Sequence, residues 1–393
     1  MDKIISFLES TQSDFLTDLT NLVNRDCGTF NKAGVDQIGK WVRNRCAAWG
    51  WEVQRFPLVK YGDCWLARLR GQGSGRVLLM GHLDTVYPDG TAAVRPIRFE
   101  GQKITGPGVC DMKGGLLTGM YAWRALQMTG FTDFAELVFF FNSDEEIGSP
   151  VSFGLYSPIV RQMDAVLILE AARMNGDIVS ARKGSGMYTI RVKGKAAHAG
   201  VEPEKGANAI LELAHQIIAF HKLNGLAPGV TVNAGVIKGG MQHNVVPEEA
   251  WAEVDVRAID PAGVMALSQA VANLAGQTSV AGTEVQIEGE FSYPPLAKTP
   301  AITFLVELAQ SAARALGFET KDAATGGASD ANKIAPLGLP VLDGLGPVGG
   351  LDHSPDEYIE LASIVPRTAM LAGLIQHILA QREQLAKLRD PSK

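Results

Sequence analysis

Cysteine is scarce. The 393 residues hold four, Cys27, Cys46, Cys64 and Cys110, and no two of them form a CxxC pair. That excludes a disulfide framework and a cysteine zinc site, and it predicts reduced, mostly buried thiols in a cytoplasmic protein. An excess of basic charge is missing too. Lys plus Arg number 36 against 42 for Asp plus Glu, a net charge of −6, so the electrostatic footprint of nucleic-acid binding is absent. No hydrophobic run reads as long enough to cross a bilayer. At the N-terminus Asp2, Lys3 and Glu9 interrupt the apolar residues, and Ile5, Leu8, Phe15, Leu19 and Leu22 fit a surface helix rather than a signal peptide. Neither nucleic acid nor membrane is expected as a partner. There is no internal repeat, no GxxxxGK[ST] phosphate loop and no GxSxG elbow, which argues against nucleotide and serine hydrolases. Gly344 to Gly349 spell GxGxxG, but Asp352-His353-Ser354-Pro355 follows instead of a helix, so the dinucleotide fingerprint of a dehydrogenase is not met.

What is present is an ordinary globular composition, 46% apolar and 20% charged, on a length that fits two or three domains. Ile38, Trp41, Val42 and Cys46 form a helical stripe that stops at Gly50. Strand-like runs follow at 51–56, 65–70 and 77–80. A helix opens after Gly114-Gly115, and two apolar strands occupy 137–141 and 166–169. Continuous apolar runs between helices require a sheet buried on both faces, an α/β arrangement. Near Ser180 the texture changes. Tyr188, Ile190 and Val192 alternate with Thr189, Arg191 and Lys193. With strands at 230–236, 251–258 and 284–288 and helices at 204–220 and 265–274, the order becomes β-α-β-β-α-β, that of a ferredoxin-like sandwich. After Pro294-Pro295 the first rhythm returns: a helix at 301–316, a short strand at 341–342 and a last helix at 363–387. The reading is a discontinuous α/β domain, 1–180 and 291–393, interrupted by an α+β domain at 181–290.

Polar clusters sit where the apolar strands end. Residues 77–80 run into Gly81-His82-Leu83-Asp84, 137–141 into Asn142-Ser143-Asp144-Glu145-Glu146, and 166–169 into Glu170. Two Gly-rich loops carry Asp111 and Asp352-His353. Ligand sites in open α/β sheets lie at the carboxyl ends of strands. Taken singly, each of these residues reads as an ordinary cap or surface group. Together they crowd negative charge at one sheet edge, which repels itself unless a cation sits among it. Mixed His, Asp and Glu ligation suits zinc, and a pair of metals needs about five ligands with one bridging carboxylate.

On these motifs the chain resembles the dinuclear zinc peptidase family of the glutamate carboxypeptidases, aminoacylases, acetylornithine deacetylases and succinyl-diaminopimelate desuccinylases, and most of all its glutamate carboxypeptidase branch. The segments that carry the likeness are GHLDTV at 81–86, GPGVCDMKGG at 106–115, NSDEEIGS at 142–149, LE at 169–170, GKAAHAG at 194–200, HNVVP at 243–247, DVRA at 255–258, GGASDAN at 326–332 and HSPDEYI at 353–359. The resemblance implies a mixed-sheet catalytic domain with an inserted lid and dimerisation domain. It implies two zinc ions per chain, replaceable by Co2+ or Mn2+. His82 and Glu170 would complete one metal, Glu146 and His353 the other, and Asp111 would bridge both, with a cis Asp111–Met112 peptide. Asp84 would orient His82, and Glu145 would be the general base. His198 would reach the neighbouring subunit's active site in a homodimer, and Asn244, Arg257 and the Gly326-Gly327 backbone would bind substrate.

The implied activity is cleavage of an amide beside a free C-terminal carboxylate in a small peptide or N-acyl amino acid. A deacylase of the aminoacylase or acetylornithine deacetylase type would share the same machinery. A non-catalytic metal- or ligand-binding protein is the alternative from another class. The chain departs from glutamate-cleaving relatives in one place. The stretch 288–295 has no Arg before its prolines, and Phe291 and Tyr293 favour a more apolar C-terminal residue, with Lys183 as the nearest replacement charge.

Overall fold

The computed structural model describes residues 1–389. They divide into two compact units: Met1–Ser180 with Lys298–Ala324 and the described residues from Ser329 onward, and Ala181–Ala297 with Thr325–Ala328.

The first unit is built on a six-stranded mixed sheet in the order Glu52–Phe56, Cys64–Arg70, Glu136–Asn142, Arg76–His82, Ala165–Ile168, Val341–Leu342. The first three strands pair antiparallel and the last four run parallel. Val77 to Met80 and Leu137 to Phe141 are fully buried, as a sheet covered on both faces demands. His82, Asn142 and Glu170 therefore leave the same edge of the sheet, at the carboxyl ends of three adjacent strands. The helix Gly114–Met128 begins against this edge. A Cβ on Gly115 would stand 1.9 Å from the Leu169 carbonyl oxygen, so only glycine permits that approach. The same fit explains the Gly114-Gly115 pair that marked the helix start in the sequence.

One expectation is corrected here. The segment Leu361–Ala380 has the length and composition of a membrane span, where the sequence reading found none. Its apolar residues are spent inside the unit, packed on the helices Gly114–Met128 and Pro300–Ala315. Arg367 in its middle is buried, its guanidinium donating to the carbonyls of Gly176, Gly344 and Gly346 at 3.0, 2.6 and 3.1 Å. Backbone oxygens thus satisfy the charge. The single last helix expected at 363–387 is two, Ile364–Ala380 and Arg382–Lys387.

The GxGxxG letters resolve in the same way. Gly349–Gly350 is a strand of a small sheet with Tyr358–Glu360, Lys103–Thr105 and Arg98–Glu100, not the start of a helix.

The second unit is a four-stranded antiparallel sheet in the order Thr231–Gly239, Glu249–Ala258, Gly184–Lys193, Glu284–Tyr293. Tyr188, Ile190 and Val192 face inward with Ala252, Val254 and Val256. The helices Ala209–His221 and Pro261–Leu274 cover them through Leu213, Phe220, Leu267 and Val271. The strand and helix order is the ferredoxin-like one. Both helices start at side-chain caps. Asn208 accepts from the Leu211 N–H, and Asp260 from that of Gly263 with Pro261 in the first helical position. These caps move the starts away from the expected 204 and 265. The unit also extends beyond 290. The last strand runs to Tyr293, Leu296 bridges to Arg182, and the Gly326-Gly327 loop joins it through hydrogen bonds from the Lys183 N–H to the Thr325 oxygen and from Arg182 to the Gly327 oxygen, both 3.0 Å.

Candidate metal centre

His82 closes the strand Arg76–His82 and is 1% exposed. Its Nδ1 lies 2.9 Å from the Asp84 carbonyl oxygen, an acceptor only, so Nδ1 carries a proton and Nε2 is the ring atom turned towards the cluster. Nε2 points at Asp111 Oδ1, 2.9 Å away, and at Glu170 Oε1, 3.6 Å away. The other oxygen of Asp111 faces His353 Nε2 at 3.1 Å, and Glu146 Oε2 is 3.4 Å from that same nitrogen. Asp111 thus stands between two imidazoles, one on each carboxylate oxygen. Its peptide bond to Met112 is cis.

Asp84 has a further part. Its carboxylate accepts the N–H groups of Glu145 and Glu146, each at 3.3 Å, and the Thr29 hydroxyl at 2.7 Å. One buried carboxylate therefore holds the turn on which two glutamates diverge. Asp330 secures the far end of that turn, accepting from Ser149, from Asn142 at 2.7 Å and from Tyr156 at 2.9 Å.

The electrostatics are those of a site short of positive charge. Burial and the charge of Asp111 push the Glu146 carboxyl up to about 7. Hydrogen bonds to Asp111 and Glu146 push His353 up to about 11. Burial disfavours the charged form of His82, yet its bonds to Asp111 and Asp84 outweigh that and hold its pKa well above the usual histidine value. Burial likewise opposes ionisation of Asp111, but hydrogen bonds from both imidazoles keep it ionised. A divalent cation relieves the same repulsion without protons. The donor set fits one. His82, Asp111 and Glu146 offer ligand atoms all within 4.8 Å of one another, and Glu146 Oε1 is buried without a hydrogen-bond partner.

The sequence reading missed Glu357. It is buried at 1% exposure and accepts the N–H groups of Gly108, Cys110 and Asp111 at 2.9, 2.8 and 2.9 Å and the Tyr87 hydroxyl at 2.6 Å. It shapes the loop that presents Asp111. The signal was its place four residues after His353 in HSPDE, which by itself does not say what the carboxylate holds. Glu357→Ala is expected to leave three backbone donors without their acceptor and to weaken metal binding about 10- to 100-fold, measured by metal-buffer titration.

The remaining predicted residues lie in the second unit. His198 follows the strand Gly184–Lys193 in a loop where its Nδ1 accepts from the Gly200 N–H, and the Ala199 N–H donates to the Asn244 oxygen at 3.0 Å. His198 and Asn244 are thus neighbours. Arg257 makes a two-point contact with Asp255 at 2.9 and 2.8 Å, and its Nη1 reaches the Gly326 oxygen at 3.5 Å. The Arg257 and Gly326-Gly327 positions therefore form a second group within that unit.

Comparison with known proteins gives the family. Residues 78–377 match Peptidase family M20/M25/M40. The chain is similar to carboxypeptidase G2 of Pseudomonas sp., 30% identical over 93% of this chain and 90% of that one. It is also similar to an acetylornithine deacetylase of Klebsiella pneumoniae, 26% identical over 88% and 91% of the two chains. The crystal structure of aminopeptidase PepT from Bacillus cereus shares the fold, with a TM-score of 0.78 at 24% identity, covering 93% of this chain and 98% of that one. With a cluster of candidate metal ligands at the ends of its parallel strands, the chain belongs to peptidase family M20/M25/M40 and is a metal-dependent hydrolase.

Proposed function

We propose that the protein is a carboxypeptidase that cleaves the amide beside a free C-terminal carboxylate in a small peptide or N-acyl amino acid. The observation that carries this reading is Asp111 held between His82 and His353, with Glu145 fixed next to Glu146 on the Asp84 carboxylate. His82 and Glu170 would hold one metal and Glu146 and His353 the other, with Asp111 available to both. The metal, two zinc ions per chain in this reading, supplies Lewis acidity and lowers the pKa of water at the site. Glu145 takes the proton from the attacking water and returns it to the leaving nitrogen. Asn244 binds substrate, and Arg257 and the Gly326-Gly327 backbone receive its carboxylate, with Asp255 keeping the guanidinium in one orientation.

The active form is a homodimer joined through the second unit. Ile210 and Leu211 on the helix Ala209–His221, Ile237 on the edge strand Thr231–Gly239 and Met241 just beyond it support this, being exposed apolar residues on one unit. Four buried, unpaired cysteines support a reducing, cytoplasmic setting. Without an Arg at 288–295, and with Phe291 and Tyr293 there instead, the C-terminal residue is apolar rather than acidic.

The test is hydrolysis of N-acyl and N-aminoacyl amino acids in the presence of zinc, each with a free and an amidated C-terminus. Amidation is expected to lower kcat/KM about 100-fold, the worth of one charge-assisted two-point contact. Equal rates on both sets would exclude the carboxylate grip. A set of products confined to acetate and similar small acids would favour the deacylase reading, which the likeness to acetylornithine deacetylase supports.

A further inference from the structure

Beside the metal cluster runs a groove of about 490 Å³, with Glu146 at its margin and Phe30, Val86, Tyr87, Pro88 and Ile147 among its walls. Phe30 is 71% exposed, Val86 43% and Ile147 37%, so apolar side chains stand open to solvent next to charged ones. A cluster of this kind on one surface marks a binding site more often than chance exposure.

The walls are preformed. The Thr29 N–H donates to the Thr85 oxygen at 3.2 Å, and that of Thr85 to the Cys27 oxygen at 2.9 Å. Asn31 donates to Asp89 at 2.6 Å, and Asp26 accepts the N–H groups of Gly90 and Ala92 at 2.7 and 2.8 Å. The groove is also tied to the reacting centre. The Thr29 hydroxyl and the Glu146 N–H share one oxygen of Asp84. A ligand whose amide lies at the cluster therefore has this groove beside it at a fixed distance.

Charge decides which end of the substrate enters. The groove is lined by Asp89 and Glu146 and by no Lys or Arg. A free carboxylate would be repelled there, and the exposed Phe30, Val86 and Ile147 offer an apolar group the most surface to cover. We infer that this groove is the acyl-side subsite and that it selects a bulky apolar or aromatic group on the carbonyl side of the scissile amide. This inference rests on the proposed reading that the substrate's carboxylate lies on the leaving side.

The experiment separates the two. Binding of 3-phenylpropanohydroxamate and acetohydroxamate to the zinc-loaded protein is measured by calorimetry, and hydrolysis of N-(3-phenylpropanoyl) and N-acetyl forms of one amino acid is measured alongside. The phenyl ligand is expected to bind roughly 10- to 50-fold more tightly, the worth of partly burying a ring. The same preference is expected in kcat/KM. Phe30→Ala, which removes an exposed wall, and Val86→Trp, which fills the groove, should each bring both ratios to about threefold or less, because little apolar area is then left to bury. Metal content guards against a folding artefact. Equal affinities, failure of both hydroxamates to bind, or a preference that survives both substitutions would overturn the inference. A phenyl preference in binding without hydrolysis of either amide would instead overturn the proposed activity and leave the groove standing.

Discussion

Glu145→Gln is expected to keep its metal and to lose turnover by at least roughly 10²–10⁴-fold, the range of a general acid–base residue. Gln has the size of Glu but cannot accept the proton of the attacking water. The substitution leaves the backbone untouched, so the Glu145 and Glu146 N–H groups stay on Asp84. Glu146 and its approach to His353 are therefore preserved. The measurement is kcat on a cleaved amide together with elemental analysis of the same preparation. Loss of metal along with rate would make Glu145 a ligand rather than the base. Near-normal turnover would mean that another group carries the proton.

The parts of this site that were legible in the sequence share a physical cause. A parallel strand buried on both faces must be a continuous apolar run, so the first polar residue after it stands at the sheet edge. His82, Asn142 and Glu170 were readable for that reason. Glu357 was not. Its role depends on closing a loop of 249 residues onto Gly108, and no local pattern records that closure. The small sheet of Gly349–Gly350, Tyr358–Glu360, Lys103–Thr105 and Arg98–Glu100 was missed because strands of two or three residues are too short to show a period. The Gly326-Gly327 loop was assigned by chain continuity to the catalytic domain, whereas it folds with the inserted unit through hydrogen bonds from Arg182 and Arg257. The helix Ile364–Ala380 reads as apolar on nearly every side, and a helix buried in a core meets the same compositional test as one in a bilayer.

His198→Ala is expected to lose about 10²–10³ in kcat, the cost of removing one donor to a carbonyl oxygen as it gains charge. In the proposed homodimer that donor serves the neighbouring subunit, and this makes the assignment testable without knowing the natural substrate. His198 sits in an exposed loop, where its side chain accepts from the Gly200 N–H, and it is not part of the core of the second unit, so its replacement leaves that core unchanged. The two-fold contact would use the exposed Ile210, Leu211, Ile237 and Met241. His198→Ala and Glu145→Gln are each expected to be close to inactive as homodimers. In a mixed dimer, the subunit with intact Glu145 receives the intact His198 of its neighbour, while the other site lacks its base. Random exchange of equal amounts should therefore restore about a quarter of wild-type activity, since half the dimers are mixed and each has one working site. The recovery must appear with the kinetics of subunit exchange, followed by mass spectrometry of tagged chains. Exchange without recovery would place His198 in its own subunit's site or outside any site. An active monomer would remove the dimer from the mechanism altogether.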